Sequence, residues 1–416
     1  MPAAVLTERR LLWLLGAVQF INMMDFVMVL PLGPDFARAL DIPTHLLGLI
    51  AGSYTAAAAL VGLLAASRLD RFDRRVALLI ALLGLVLGTV AGAAATGVVS
   101  MLLARVVAGS FGGPATSLTM SILTDLVPPE RRGHAMGKLM GAFSVASVVG
   151  IPAGLELARI GGWYVPFIVV AALGALVTLA IALWLPPLRG HLAAAGTPTT
   201  PQRPWRSFLR DPLVALALGG NAVATSGTFA LISNLSAFVQ YNLGYPRARL
   251  GLMYMLGGSV TFFTMRLTGR AVDRWGAPRI VAGATGLLVA VITLAFLPDD
   301  SLLPVPAIFV GFMLANTTRM IGLGALTTRV PQPFERARFM SLQNAVQHLA
   351  TSTGATLSTW VLHERSDGAL EGMATLALGA TVLSLILPGL VGLLAARVRN
   401  RDAALAQPAL AVEPLS

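Results

Sequence analysis

Cysteine is absent from all 416 residues, which excludes disulfides, thiolate metal sites and cysteine nucleophiles. Charge is scarce: Asp, Glu, Lys and Arg make up 12% of the chain, about half the share of a typical soluble domain. Lysine is nearly missing, with Lys138 the single one among 30 basic residues. The five histidines, His45, His134, His191, His348 and His363, are scattered and make no ligand pair. Catalytic signatures are missing too: there is no Gly-x-Ser-x-Gly, no His-Glu-x-x-His, no phosphate loop and no pair of carboxylates within an apolar run. These absences argue against an enzyme, and no metal or organic cofactor is expected.

What is abundant is apolar surface, with 56% hydrophobic residues and a mean hydropathy of +0.77. A hydrocarbon core of about 30 Å needs about 20 apolar residues per helix. The chain supplies twelve such runs, at 11–32, 46–66, 76–95, 98–122, 135–158 and 164–185, then 213–239, 250–270, 280–297, 302–326, 339–362 and 373–396. The first is too long for a cleaved signal peptide, contains Asp25 and lacks an Ala-x-Ala-like exit. The expected fold is therefore an all-α polytopic membrane protein with a lipid bilayer as its partner. A net charge of +11 would suggest nucleic acid binding in a soluble protein. Here the basic residues fall between apolar runs, so no nucleic acid partner is expected.

An even number of spans puts both termini on one side. Only Arg38, Arg159, Arg247, Arg249 and Arg365 fall in odd-numbered loops, and Arg105 and Arg319 lie inside spans. All other basic residues lie at the termini, in even-numbered loops or at their edges, which makes those regions cytoplasmic by the positive-inside rule. The segment 187–211 is poor in apolar residues and reads as a cytoplasmic linker between a six-helix bundle at 1–186 and a second at 212–397, with a disordered cytoplasmic tail at 398–416. The halves repeat. Asp70-Arg71 and Asp273-Arg274 follow the second and eighth runs, Val127-Pro128 and Val330-Pro331 follow the fourth and tenth, and both pairs are 203 positions apart. Two copies of one unit are the construction of transporters that hold substrate at the repeat interface.

The loop Ala66-Ser-Arg-Leu-Asp70-Arg71-Phe-Asp73-Arg74-Arg75 and its copy Gly269-Arg-Ala-Val-Asp273-Arg274-Trp-Gly276 resemble the cytoplasmic latch of the major facilitator superfamily. So do Arg105-Val-Val-Ala-Gly109 in the fourth run and Gly150-Ile-Pro152-Ala-Gly154 in the fifth, the latter similar to the glycine and proline motif of the family's antiporters. The chain is most similar to the twelve-helix drug and solute proton antiporters of arabinose-efflux-permease type. That resemblance implies two pseudo-symmetric six-helix bundles around a central cavity. It also implies a latch at Asp70, Arg71, Arg75, Asp273 and Arg274, a hinge at Gly150, Pro152 and Gly154, and the first and fourth helices side by side on the cavity.

Depth pairs two charges independently of the family. Asp25, the one acid well inside a run, lies seven residues before Leu32, and Arg105 lies seven after Val98, so both sit about 10 Å from the outer surface. An intramembrane arginine costs about 2.5–3.5 kcal/mol and calls for a partner. Asp25 is the expected proton carrier, its affinity switched by hydration and by distance to Arg105; a permanent ion pair is the alternative. For the substrate, the expected contacts are Asp25, Tyr54, Asn221, Asn234, Tyr254, Arg319, Asn344, Gln347 and His348, the last three on one helical face. The expected function is proton-coupled export of drugs or small metabolites by a monomer in a bacterial inner membrane, powered by the proton gradient. The alternative is an uncoupled facilitator or importer of a sugar-like solute.

Overall fold

The computed structural model describes residues 7–69, 72–189, 205–298, 301–332 and 335–406. Among them nine helices are long and apolar enough to cross a membrane unaided. Three more helical stretches, Pro129–Gly161, Leu250–Trp275 and Arg336–Val361, complete twelve spans in the expected order. They are less apolar because each carries charges or amides, such as Lys138, Arg266, Asn344 and Gln347. The remaining spans are Glu8–Ala39, Leu47–Leu69, Arg74–Ala93, Val98–Leu126, Val165–Trp184, Pro212–Asn242, Ala277–Phe296, Val305–Thr327 and Met373–Ala406.

Local chemistry explains the irregular spans. The first breaks at Met28 between Glu8–Val27 and Val29–Ala39, just before Pro31 and Pro34, whose missing N–H groups weaken the helical ladder. The fifth widens into a π turn at Ala146–Gly150 ahead of Pro152, which cannot donate back to the preceding turn. The twelfth span outruns expectation. It stays helical to Ala406, so the tail predicted from 398 is ordered over its first part. The cause is a set of contacts to the loop after the tenth span: Arg401 donates to the carbonyls of Arg329 and Val330, and Asp402 pairs with Arg329 at 2.6 Å. A two-stranded hairpin, His363–Glu364 with Leu370–Glu371, joins the last two spans and was not foreseen.

The solvent logic of a soluble protein is inverted. Leu87, Leu103, Leu176, Leu183 and Val382 are more than 60% exposed on the outer surface, whereas Asp25, Arg105 and Arg319 are at most 1% exposed. Small residues bring spans into contact. A Cβ on Gly109 of the fourth span would overlap the Tyr54 carbonyl of the second, and one on Gly354 of the eleventh would overlap the Ser226 carbonyl of the seventh.

The two six-span halves meet mainly on the side opposite the chain ends. There, Gly48 and Gly52 of the second span lie against Ala355 and Ser352 of the eleventh, and Gly258 of the eighth against Ser147 of the fifth. Polar contacts clasp the same side. Arg247 reaches both Asp35 oxygens with Nε at 2.8 and 2.9 Å, Arg38 donates to the Tyr241 hydroxyl at 3.2 Å, and Glu364 accepts from the Thr44 amide at 2.6 Å. On the side of the chain ends the eleventh span is open: Ala355 and Ser358 are buried, but Asn344, on the same helical face, is exposed. The structure is thus sealed on one side and open on the other.

The cysteine-free sequence offers a direct check. Ser236, whose hydroxyl donates to the Pro31 carbonyl across the sealed seam at 3.0 Å, replaced as Ser236→Cys, is expected to resist an impermeant maleimide. Adding Arg247→Glu, which sets a carboxylate against Asp35, is expected to speed labelling several-fold. The swap Asp35→Arg with Arg247→Glu should restore protection; equal labelling in all three would show that the clasp does not hold the seam.

Candidate functional site

The charges matched by depth in the sequence meet in the structure. Arg105 of the fourth span donates from Nη1 to Asp25 Oδ1 at 3.1 Å, from Nη2 to Oδ2 at 3.0 Å, and from Nη2 to the Asp25 backbone carbonyl at 3.0 Å. Thr89 of the third span donates its hydroxyl to Asp25 Oδ1 at 2.7 Å. The carboxylate is fully buried and carries three hydrogen bonds, the arrangement that makes a charge tolerable away from water.

Around the pair sits a shell that ties four spans together. The Tyr54 ring of the second span lies 4.7 Å from the Arg105 guanidinium carbon, and its hydroxyl donates to Asn22 Oδ1 at 2.6 Å. Asn22 donates in turn to the Gly112 carbonyl at 3.0 Å and to the Thr116 hydroxyl. Phe26, one residue beyond Asp25, stacks on Tyr54 at 5.4 Å and reaches Phe229 of the opposite half at 6.1 Å. Asn22, Thr89 and Thr116 were missed in the sequence. Asn22 lies three residues before Asp25, on the same helical face, and that spacing was the available signal.

The second-half candidates divide. Asn234 is buried between spans, donating to the Ser358 hydroxyl of the eleventh at 2.8 Å, and Asn221 accepts from Thr225 at 3.2 Å. Asn234 thus serves a helix seam in this conformation, while the Asn221 contact lies within its own span. Tyr254 packs edge-on against Phe309, ring centroids 4.6 Å apart. Asn344 is exposed while Gln347 and His348 are half-buried, so these three line the open side. Arg319 is buried beside Asn316.

Of the expected latch, Asp70 and Arg71 lie outside the described residues. Arg75 donates to the Ala182 carbonyl within its own half. Asp273 and Arg274 are exposed, with Arg274 5.3 Å from the Trp275 ring centroid. Asp73 caps the third span by accepting from Arg75 N–H at 2.9 Å, and pins the chain after the sixth through Leu188 N–H at 3.0 Å and Arg189 Nε at 3.1 Å. Partial burial raises its proton affinity, but these donors outweigh it and hold the carboxyl below its ordinary value. At the expected hinge, Gly150 lies against Met24 of the first span, and Gly251 of the eighth lies near the Pro152 carbonyl. The motif therefore sits where the fifth span touches both the first span and the other half. Two grooves on the side of the chain ends run past Trp13 and Phe20, the larger about 1090 Å³ between the first, fifth and eighth spans; neither includes Asp25.

The Major Facilitator Superfamily model matches residues 15–355. The chain is 26% identical over 294 residues to the chloramphenicol resistance protein of Streptomyces lividans, covering 70% of this chain and 74% of that one. It is 25% identical over 267 residues to a chloramphenicol efflux pump of Mycobacterium tuberculosis, covering 63% of each. Among solved structures, a bacterial homolog of the human lysosomal transporter Spinster, in an inward-facing and occupied conformation, superposes with a TM-score of 0.73. That match has 18% identity and covers 96% of this chain and 99% of the other.

Unfolding of the purified protein in detergent tests the pair. Arg105→Gln leaves a buried carboxylate with only Thr89, and a loss of about 3–5 kcal/mol is expected. The double variant Asp25→Asn with Arg105→Gln should lose less than Arg105→Gln alone. Additive losses would show that the two groups do not depend on each other.

Proposed function

The chain belongs to the Major Facilitator Superfamily, and from that premise we propose that it is a proton-coupled exporter of drugs or small metabolites, with Asp25 as the proton carrier. It is a multi-pass membrane transporter, and the proposal concerns its direction, coupling and address. The observation that carries the reading is the sealed Asp25 carboxylate, held by Arg105 and Thr89 in the middle of the first span. An acid in that position changes its proton affinity whenever rocking of the halves alters its hydration or its distance from the guanidinium. The transmembrane potential contributes about 2.3 kcal/mol per charge per 100 mV, enough to bias such a cycle.

The π turn and Pro152 in the fifth span support the antiport reading, because a helix with broken hydrogen bonds bends at little cost where the halves pivot. One similar protein is named as an efflux pump and another as a resistance protein. By the distribution of arginines, both termini face the cytoplasm, so the open side is the cytoplasmic one and the cell's inner membrane is the address. The transporter works as a monomer on a small-molecule solute and protons, without a cofactor.

Chloramphenicol, named for two relatives, is the first cargo to try in proteoliposomes with an imposed pH gradient. The wild type is expected to accumulate it only while the gradient lasts, and Asp25→Asn to lose that dependence. Undiminished gradient-driven transport by Asp25→Asn would remove Asp25 from the proton path, and transport indifferent to the gradient would favour a facilitator.

A further inference from the structure

Arg319 is as buried as Arg105, at 1% exposure, but no acid among the described residues pairs with it. In the helical ranges of the second half, the only carboxylates are Asp273 and Asp402, both near the ends of their spans on the side of the chain ends. The guanidinium makes one long contact, Nη1 to Asn316 Oδ1 at 3.4 Å, and that oxygen already accepts the Thr228 hydroxyl at 2.6 Å. Arg319 Nε and Nη2 are buried and have no partner among the described residues.

Those two nitrogens form one edge of the guanidinium. The same edge grips both oxygens of a carboxylate elsewhere in this chain, as Nε and Nη2 of Arg247 do with Asp35 and Nε and Nη2 of Arg159 with Glu156. Two parallel donors on a planar fork match two carboxylate oxygens. A buried cation with that edge bare is costly. Asn316 beside it is only partly buried, so the guanidinium is not sealed off on that side as Asp25 is.

We propose that Arg319 is the docking cation for a carboxylate on the transported solute, received on its Nε and Nη2 edge with Asn316 and Thr228 alongside. The inference rests on the transporter reading above and adds to it the chemical class of the cargo. Benzoate is the probe, because it presents a carboxylate on a small body that the neutral benzamide shares.

The test is thermal unfolding of the full chain in detergent, with no gradient present, titrated with benzoate, with its neutral isostere benzamide, or with chloride. In the wild type benzoate is expected to stabilise while benzamide and chloride do not. Arg319→Gln should bind benzoate about 10- to 100-fold more weakly, as expected for loss of charge-assisted hydrogen bonds, and Arg319→Lys should lie between. Arg365→Gln, on the exposed hairpin far from this site, should bind as the wild type does. Equal shifts with benzoate and benzamide, a full shift with chloride alone, or unchanged benzoate binding by Arg319→Gln would overturn the proposal. If Arg319→Gln does not fold, the wild-type preference for benzoate over benzamide and its weakening in Arg319→Lys decide the matter. Because no gradient is applied, benzoate binding by a protein that carries neither chloramphenicol nor benzoate in response to a pH gradient would sink the proton reading and leave this site standing; gradient-driven transport without benzoate binding would do the opposite.

Discussion

A charge inside hydrocarbon must be matched, and in this chain that requirement organises the first half. Asp25 and Arg105 lie on different spans, so satisfying them fixes the depth and rotation of the first and fourth helices together. Thr89 adds the third span, and Tyr54, through its ring and its bond to Asn22, adds the second. Glycines at 109, 112 and 113 let the second span approach the fourth closely enough for this shell to close. The same contacts that make the ion pair affordable also make it sensitive, because each is lost if a span shifts.

The second half is built differently. Asn234 serves a seam between helices with Ser358, and Arg319, the one arginine of this half buried to 1% among the described residues, is left with a bare edge. The halves repeat in sequence but divide the work: one holds a self-contained acid–base pair, the other an unmatched donor. Between them, the clasp of Asp35 with Arg247 and of Thr44 with Glu364 closes one side while the eleventh span opens on the other. Rocking that breaks the clasp therefore has polar bonds to break at the rim and a charge pair to disturb at the centre.

Much of this was legible in the sequence. Long apolar runs located all twelve spans, including three that carry enough amides and charges to weaken their hydropathy. Counting residues from the span ends put Asp25 and Arg105 at one depth, and they are 3.0 Å apart. What sequence could not supply was direction around the helix axis. Asn234 looks the same in sequence whether its amide faces a cavity or a neighbour, and the structure turns it to Ser358 of the eleventh span. Arg247 and Arg38 were read only as topology markers, since a loop arginine does not name its partner 200 residues away. The ordered end of the twelfth span was missed for a similar reason: Arg401 and Asp402 find their partners in a distant loop.

The central proposal is that Asp25 gains and loses a proton as its hydration and its distance from Arg105 change. Infrared difference spectroscopy of the protein in lipid, acid minus neutral, reads that directly. The account predicts a protonated carboxyl C=O band that grows on acidification and is missing in Asp25→Asn. A spectrum identical in the wild type and in Asp25→Asn would mean that the carboxylate stays ionised throughout, and that the pair is only a structural tie.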